Sequence, residues 1–219
     1  MIWVAGFALL PVAYFAVVRP WHLTWGARSV ELHADLPGDD LVPAGRSVTR
    51  AISVRAPVGA VWPWLVQMGQ GRGGFYSYEL LENLAGLRIR NADRIVPEWQ
   101  ELREGDLVPF TPEGFGMRAV IIEPQRALVL AASIPPPGES PLEEATIAWG
   151  FHLAEEPDGR TRLVVRLRTP DALAPPLSWR AAAFLLLVLE PLHFLMEQKM
   201  LRGIRARAER LALKAPRLA

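Results

Sequence analysis

VWPWLVQMGQGRGGFYSYELLENLAG, Val61 to Gly86, decides how the rest of the chain reads. Val61, Trp62, Leu65, Val66 and Met68 recur at helical spacing and define one apolar face, while Pro57 and Pro63 fall where a first helical turn tolerates a missing N–H. A helix is therefore expected to end near Met68. Gly69, Gly71, Gly73 and Gly74 then allow a sharp turn or a close backbone approach, with Gln70 and Arg72 among them as donors. A second helix follows through Tyr78, Leu81 and Glu82 and stops at Gly86. Two helices separated by a glycine-rich, polar and aromatic turn read as the mouth of a binding cavity.

Gly69, Gly71 and Gly74 also spell GxGxxG, and Asp93 follows at about the spacing of a ribose-binding acid. The dinucleotide fingerprint needs a buried strand before its first glycine, and Pro63 would break such a strand. The segments beyond Gly114 read as hairpins rather than βαβ units. A dinucleotide-binding oxidoreductase is the remotest of the functional readings.

Upstream, Ile52 and Val54 alternate with Ser53 and Arg55, so Val48 to Ala56 is expected to be a half-buried strand. Downstream, Leu107, Val108 and Phe110 suggest a short strand. Arg118 to Glu123 and Ala127 to Ala132 form a tight pair. The clearest hairpin sets Ile147, Trp149, Phe151 and Leu153 on one face, turns at Asp158 and Gly159, and returns with Leu163, Val165 and Leu167 opposite Arg162, Arg166 and Arg168. A long helix is expected from a Ser178 N-cap to about Leu213, with a bend at Pro191. Its stripe of Leu185, Leu189, Leu192, Met196, Met200, Ile204 and Ala208 predicts packing along a surface.

The chain has 219 residues, no cysteine, a formal charge of +1, and 51% hydrophobic residues. Its mean hydropathy of +0.15 points to a membrane segment. MIWVAGFALLPVAYFAVV, residues 1–18, carries no charged side chain, has the length of a hydrocarbon core, and ends in an interfacial set of Arg19, Trp21 and His22. No basic flank precedes it and no small-residue cleavage pattern follows, so it reads as an uncleaved anchor rather than a signal peptide. Arg19 and Arg28 after the span place the domain on the cytoplasmic side of a single-pass protein. The expected organisation is an anchor at 1–20, a linker rich in proline and glycine at 21–46, a domain at 47–213 and a basic tail at 214–219. Lys199, Arg202, Arg205, Arg207, Arg210, Lys214 and Arg217 suit anionic lipid. Aromatic residues for base stacking are missing among them, so no nucleic-acid partner is expected.

Strand, two short helices, antiparallel strands and a long final helix form the element order of the α+β helix-grip fold. On that order, on ISVRAPVGAVWPWL and on the closing helix, the chain resembles the SRPBCC superfamily, also called START-like, which includes the polyketide cyclase and dehydrase group. HLTWGA, LPGDDLVP and WPWLVQMGQGRGGFYSYELLENL are similar to a membrane-anchored branch of it. The resemblance implies a curved sheet around the last helix and a cavity that binds an apolar or amphipathic small molecule: a lipid, an isoprenoid or a polyketide-like compound. A cyclase or dehydratase using the same cavity is the alternative. It implies no cofactor, and the sequence identifies no catalytic residue and no protein partner.

The expected ligand-binding residues are Gln67, Gln70, Arg72, Tyr76, Tyr78 and Asn83 in the opening stretch, Trp149 and Phe151 on the sheet, and Glu190, His193 and Glu197 on the last helix. Arg72 has two readings, an anion anchor backed by glycine N–H groups or an arginine on a surface turn. His193 and Glu197 read first as a hydrogen-bonded pair that orients the helix. The sharper alternative is an acid–base pair, and no metal is expected, since there is no third ligand and no HExxH motif.

Overall fold

A computed structural model describes residues 13–43, 45–133, 145–170 and 178–214. Six strands form one antiparallel sheet: β1 (Gly45–Val54), β2 (Leu107–Pro109), β3 (Gly116–Glu123), β4 (Ala127–Ala132), β5 (Ile147–Glu155) and β6 (Thr161–Pro170). Their spatial order is β1-β6-β5-β4-β3-β2, so the first and last strands pair. The helices are α1 (Arg19–Leu23), α2 (Ser29–His33), α3 (Val58–Val66), α4 (Glu79–Leu84), α5 (Trp179–Phe184) and α6 (Glu190–Lys214). A π-helical turn, Leu185–Leu189, makes α5 and α6 one continuous helix, capped where expected by the Ser178 hydroxyl on the Ala181 N–H. The bend anticipated at Pro191 takes this form because a proline there removes one helical N–H and crowds the preceding turn.

The inner face of the sheet carries Ile52, Val54, Leu128, Leu130, Phe151, Leu163 and Val165. Met200, Leu201, Ile204 and Ala208 of α6, with Val61, Trp64 and Leu65 of α3, pack on it as one core. This is the helix-grip arrangement: a sheet closed by a long C-terminal helix. Alternation along the strands produces it, since a two-residue period puts every second side chain on the helix side. A bulge between Ala119 and Ile121 of β3 shifts the pairing with β4 by one residue and bends the sheet.

The outer face departs from expectation. Part of the segment 21–46, read as a linker, packs across it, with Leu41 and Val42 in a cluster with Val129 and Ala148. Of the arginines opposite the apolar face of β6, Arg162 and Arg166 are buried there and Arg168 is half-buried. Arg162 makes a two-bond pair with Glu31 at 2.7 and 2.8 Å, and Arg166 meets Asp39 at 2.5 Å and Thr49 at 3.0 Å. Arg168 donates to the Val42, Pro43 and Gly45 carbonyls. β1 accordingly begins three residues before the expected Val48.

The apolar stripe of the last helix is also divided. Met200, Ile204 and Ala208 are fully buried, but Leu189 and Leu192 stand about two-fifths exposed. Only the second half of the stripe reaches the domain. Within the basic run, Arg207 donates to Asp93 and the Ala92 carbonyl, and its guanidinium stacks 4.9 Å from the Tyr76 ring. Arg202 lies 5.5 Å from the Trp25 ring. Among the described residues no helix is long and apolar enough to cross a membrane. Residues 1–12 of the segment read as an anchor lie outside the described residues, as do 215–219 of the basic tail.

Candidate functional site

The glycine turn is a closed structural device. Gly69 and Gly74 exchange backbone hydrogen bonds at 3.1 and 3.0 Å, and the Gln70, Arg72 and Gly73 amides donate to the Pro109, Gly69 and Gln67 carbonyls. With these amides spent on protein carbonyls, the turn has no cradle for a phosphate or carboxylate. Helix α3 stands where a dinucleotide site would need a strand. Arg72 donates to the Val66 and Trp99 carbonyls at 3.1 and 2.7 Å and lies in a basic outer hollow with Arg88 and Arg90. Burial holds its pKa below the ordinary guanidinium value. Arg72→Gln is therefore expected to lower stability by about 1.5 to 3 kcal/mol, the worth of charged hydrogen bonds, while ligand affinity in the inner cavity stays unchanged. Thermal unfolding and ligand titration of the same variant separate the two effects, and an affinity loss at unchanged stability would return Arg72 to the site.

Its neighbours are likewise committed to the fold. The buried Gln67 side chain donates to the Arg94 carbonyl and accepts from the Val96 amide and from Gln100. Tyr76 adopts a left-handed φ of 58°, rare for an aromatic residue, and is held there by Asn91 on its amide and by its hydroxyl donating 2.9 Å to the Trp64 carbonyl. Asn83 closes the turn after α4 through two bonds to Ile89. Phe151 is wholly in the core, Gln70 is half-buried, and Tyr78 is exposed beneath the Lys199 ammonium.

The cavity lies one helical face away. It is an open-mouthed space of about 260 Å³ between the sheet and α6. Phe110 and Trp149 form its sheet wall, and Phe75, Ser77, Glu82 and Leu87 its flank. His193, Met196, Glu197 and Met200 of α6 close it. Phe75, Phe110 and Trp149 are mutually in contact, with ring centroids 5.1 to 6.4 Å apart. The opening stretch therefore does line a cavity, through Phe75, Ser77 and Glu82. Of the expected residues, the fold brings Trp149, His193 and Glu197 together here.

One end of this space is a buried ionic network. Arg50 and Glu197, 1% and 3% exposed, pair directly, and Trp149 donates its indole N–H to the other Glu197 oxygen at 3.0 Å. The Arg50 Nε donates to the His22 carbonyl at 2.7 Å, and its Nη1 faces His193 Nδ1 at 3.3 Å. A guanidinium only donates, so Nδ1 accepts and the ring proton sits on Nε2. Burial holds the His193 pKa below its ordinary value, with Arg50 acting the same way against the pull of Glu197. This favours the neutral ring. Arg50 went unread in the sequence, although it shares strand parity with Ile52 and Val54 and so points inward.

Glu82 is the other polar feature. It is 5% exposed, and its Oε2 finds no hydrogen-bond partner. Burial, reinforced by Glu79, raises its pKa from 4.5 to about 7. Nothing local in ELLENL marks it, because which carboxylate of a two-turn helix faces inward depends on how that helix docks.

A second pocket, of about 420 Å³, lies between α1, the Leu185–Leu189 turn and the β1/β6 edge. Glu190 lines it, paired with Arg19 through two bonds of 2.8 Å. His193 belongs to both walls, so the two spaces are neighbours. Among the described residues, no group of three or more His, Asp or Glu side chains is placed to hold a metal ion.

No family model and no curated protein matches the chain. Solved structures to which it is similar include CalU16 from Micromonospora echinospora, at 20% identity over 79% of this chain and 91% of that one, with a TM-score of 0.36. Ginseng major latex-like protein 151 from Panax ginseng is similar at 14% identity over 75% and 98%, with a TM-score of 0.38. The Polyketide_cyc-like protein Cgl2372 from Corynebacterium glutamicum is similar at 13% identity over 78% and 91%, with a TM-score of 0.31.

Proposed function

We propose that the chain binds an apolar or amphipathic small molecule between its sheet and its last helix, as a lipid- or polyketide-binding member of the SRPBCC superfamily. The observation that carries this reading is the cavity, whose wall is mostly aromatic, methionine and leucine, with polar groups confined to a few points. Binding sites combine these features, because apolar contact supplies affinity and a few fixed polar atoms set orientation. Its volume suits a compact ligand or one segment of a longer one. The apolar segment 1–18 supports placing the domain at a membrane surface, where such molecules concentrate, and the basic flank supports a cytoplasmic orientation.

The experiment is native mass spectrometry of the full chain purified from cells, alongside Met196→Trp, which fills the cavity with an indole. The wild-type chain is expected to carry an added mass that the variant loses. Carriage by both proteins alike would move the site elsewhere, and carriage by neither would overturn the reading.

A cyclase or dehydratase activity is the second reading, and Glu82 is the observation that favours it. An unpaired carboxyl group with a pKa near neutrality, facing an apolar space, is equipped to donate or accept a proton. Turnover of a polyketide-like substrate that disappears in Glu82→Gln, with ligand binding retained, would establish it.

A further inference from the structure

Among the described residues, one side of the first half of the C-terminal helix stands clear of the domain. Phe184, Leu187, Val188 and Leu189 are 43% to 54% exposed, and Leu192 and Leu195 continue the surface. A second strip lies beside it. Phe15, Val17, Val18 and Trp21, on the turn Tyr14–Val18 and on α1, are 44% to 66% exposed. The two helices run side by side in the same direction: Tyr14 meets Leu186, Arg19 meets Glu190, and Trp21 meets Phe194 at a 5.3 Å centroid separation. Together they present one apolar surface, of a kind that soluble monomers rarely leave in water.

The Tyr14, Arg19 and Glu190 side chains are satisfied across this pair, while the buried Nδ1 of His22 has no hydrogen-bond partner. The Tyr14 hydroxyl donates 2.7 Å to the Leu186 carbonyl, within the π turn. Arg19 and Glu190 neutralise each other through two hydrogen bonds. In hydrocarbon an unsatisfied backbone group or a lone charge is costly, whereas in water neither arrangement would be needed. The sequence beyond the described ends is of the same character. MIWVAGFALLPV leads into the first helix and DALAPPL into the second, with Asp171 the one charged side chain among them; Arg180, exposed and engaged by a partner, follows at the start of the second helix.

We propose that Ala181 to Leu189 is a second membrane-embedded element, inserted beside the N-terminal helix, so that two parallel helices hold the domain to the bilayer. From Trp179 to Leu189 the helix extends about 16 Å, roughly half of a 30 Å hydrocarbon core. It enters the near leaflet and does not cross. Arg19, Trp21 and the Glu190 carboxylate then lie at the level of the head groups, and the second pocket opens beside them.

The inference rests on the membrane placement proposed above, and the test reports the two separately. The chain contains no cysteine, so single substitutions can be labelled cleanly. Full-length Leu187→Cys and Glu101→Cys carry an environment-sensitive fluorophore and are reconstituted in phosphatidylcholine–phosphatidylglycerol vesicles. The Glu101 side chain is 82% exposed and distant in sequence from both helices. The label at 187 is expected to shift to the blue and to lose most of its emission when the lipid acyl chains carry a spin label, while aqueous iodide leaves it unchanged. The label at 101 is expected to respond to iodide alone. Iodide quenching at 187 in protein that still floats with vesicles would overturn the second element and leave the N-terminal anchor standing. Protection of 187 from both quenchers would also overturn it, because the surface would then be covered by protein. Failure to float would remove both.

Discussion

Glu197→Ala is expected to destabilise the protein by about 3 to 5 kcal/mol, the usual cost of stranding one partner of a buried ion pair. Arg50, 1% exposed, would lose its counter-charge, and the Trp149 indole N–H would lose its acceptor. At 1% exposure the Arg50 charge would stay out of reach of bulk water. The paired replacement Arg50→Met with Glu197→Leu is expected to recover most of the loss, since no uncompensated charge then remains buried. Urea unfolding of the two single variants and the double variant closes the cycle. A loss below about 1 kcal/mol for Glu197→Ala, the range of exposed pairs, would mean that water reaches the network and that this end of the cavity is open.

The second large effect depends on pH. Burial raises the Glu82 pKa from 4.5 to about 7, so between those values the folded chain holds a proton that the unfolded chain releases. Stability from this group is therefore present at acid pH and is lost as pH rises toward 7. Glu82→Gln is expected to match the wild-type chain near pH 4 and to exceed it by about 3 kcal/mol near pH 8. His152 works in the opposite direction. Burial, with Arg166 nearby, lowers its pKa from 6.5 to about 4, so its contribution is present above 6.5 and is lost as pH falls. Between 4.5 and 6.5 the two slopes oppose each other, while His193, whose pKa burial also lowers, adds to the histidine side, so the wild-type stability should fall on acidification less steeply than that of the variant. Removing Glu82 exposes the histidine slope, and the variant's stability should fall visibly on acidification through this range. Denaturant midpoints measured across these pH values check both parts. A difference between variant and wild type that does not change with pH would mean that the carboxylate is solvated or paired in solution, and would withdraw it as a proton carrier.

Much of the architecture was legible in the residues. Alternation in β5 and β6, the helical spacing after Pro57 and the Ser178 cap are local signals, because the period of an element and the chemistry of its ends are written within a few residues of each other. The inward parity of Arg50 and the i, i+4 spacing of His193 and Glu197 belong to the same class, so half of the ionic network was visible as separate pieces. What no local pattern contains is which pieces meet. Arg50 finds Glu197 across 147 positions, and Arg162 and Arg166 find Glu31 and Asp39 across 131 and 127. Those meetings turned a presumed linker into the cover of the sheet. The choice of Glu82 over Asn83 as the cavity residue, and the commitment of Arg72 to two backbone carbonyls, were likewise decided only when α4 and the glycine turn docked. Sequence by itself determined which faces are apolar and the order of the main elements. The tertiary structure alone decided where each polar group spends its hydrogen bonds, because a donor or acceptor is satisfied by atoms brought close in space, whatever their distance along the chain.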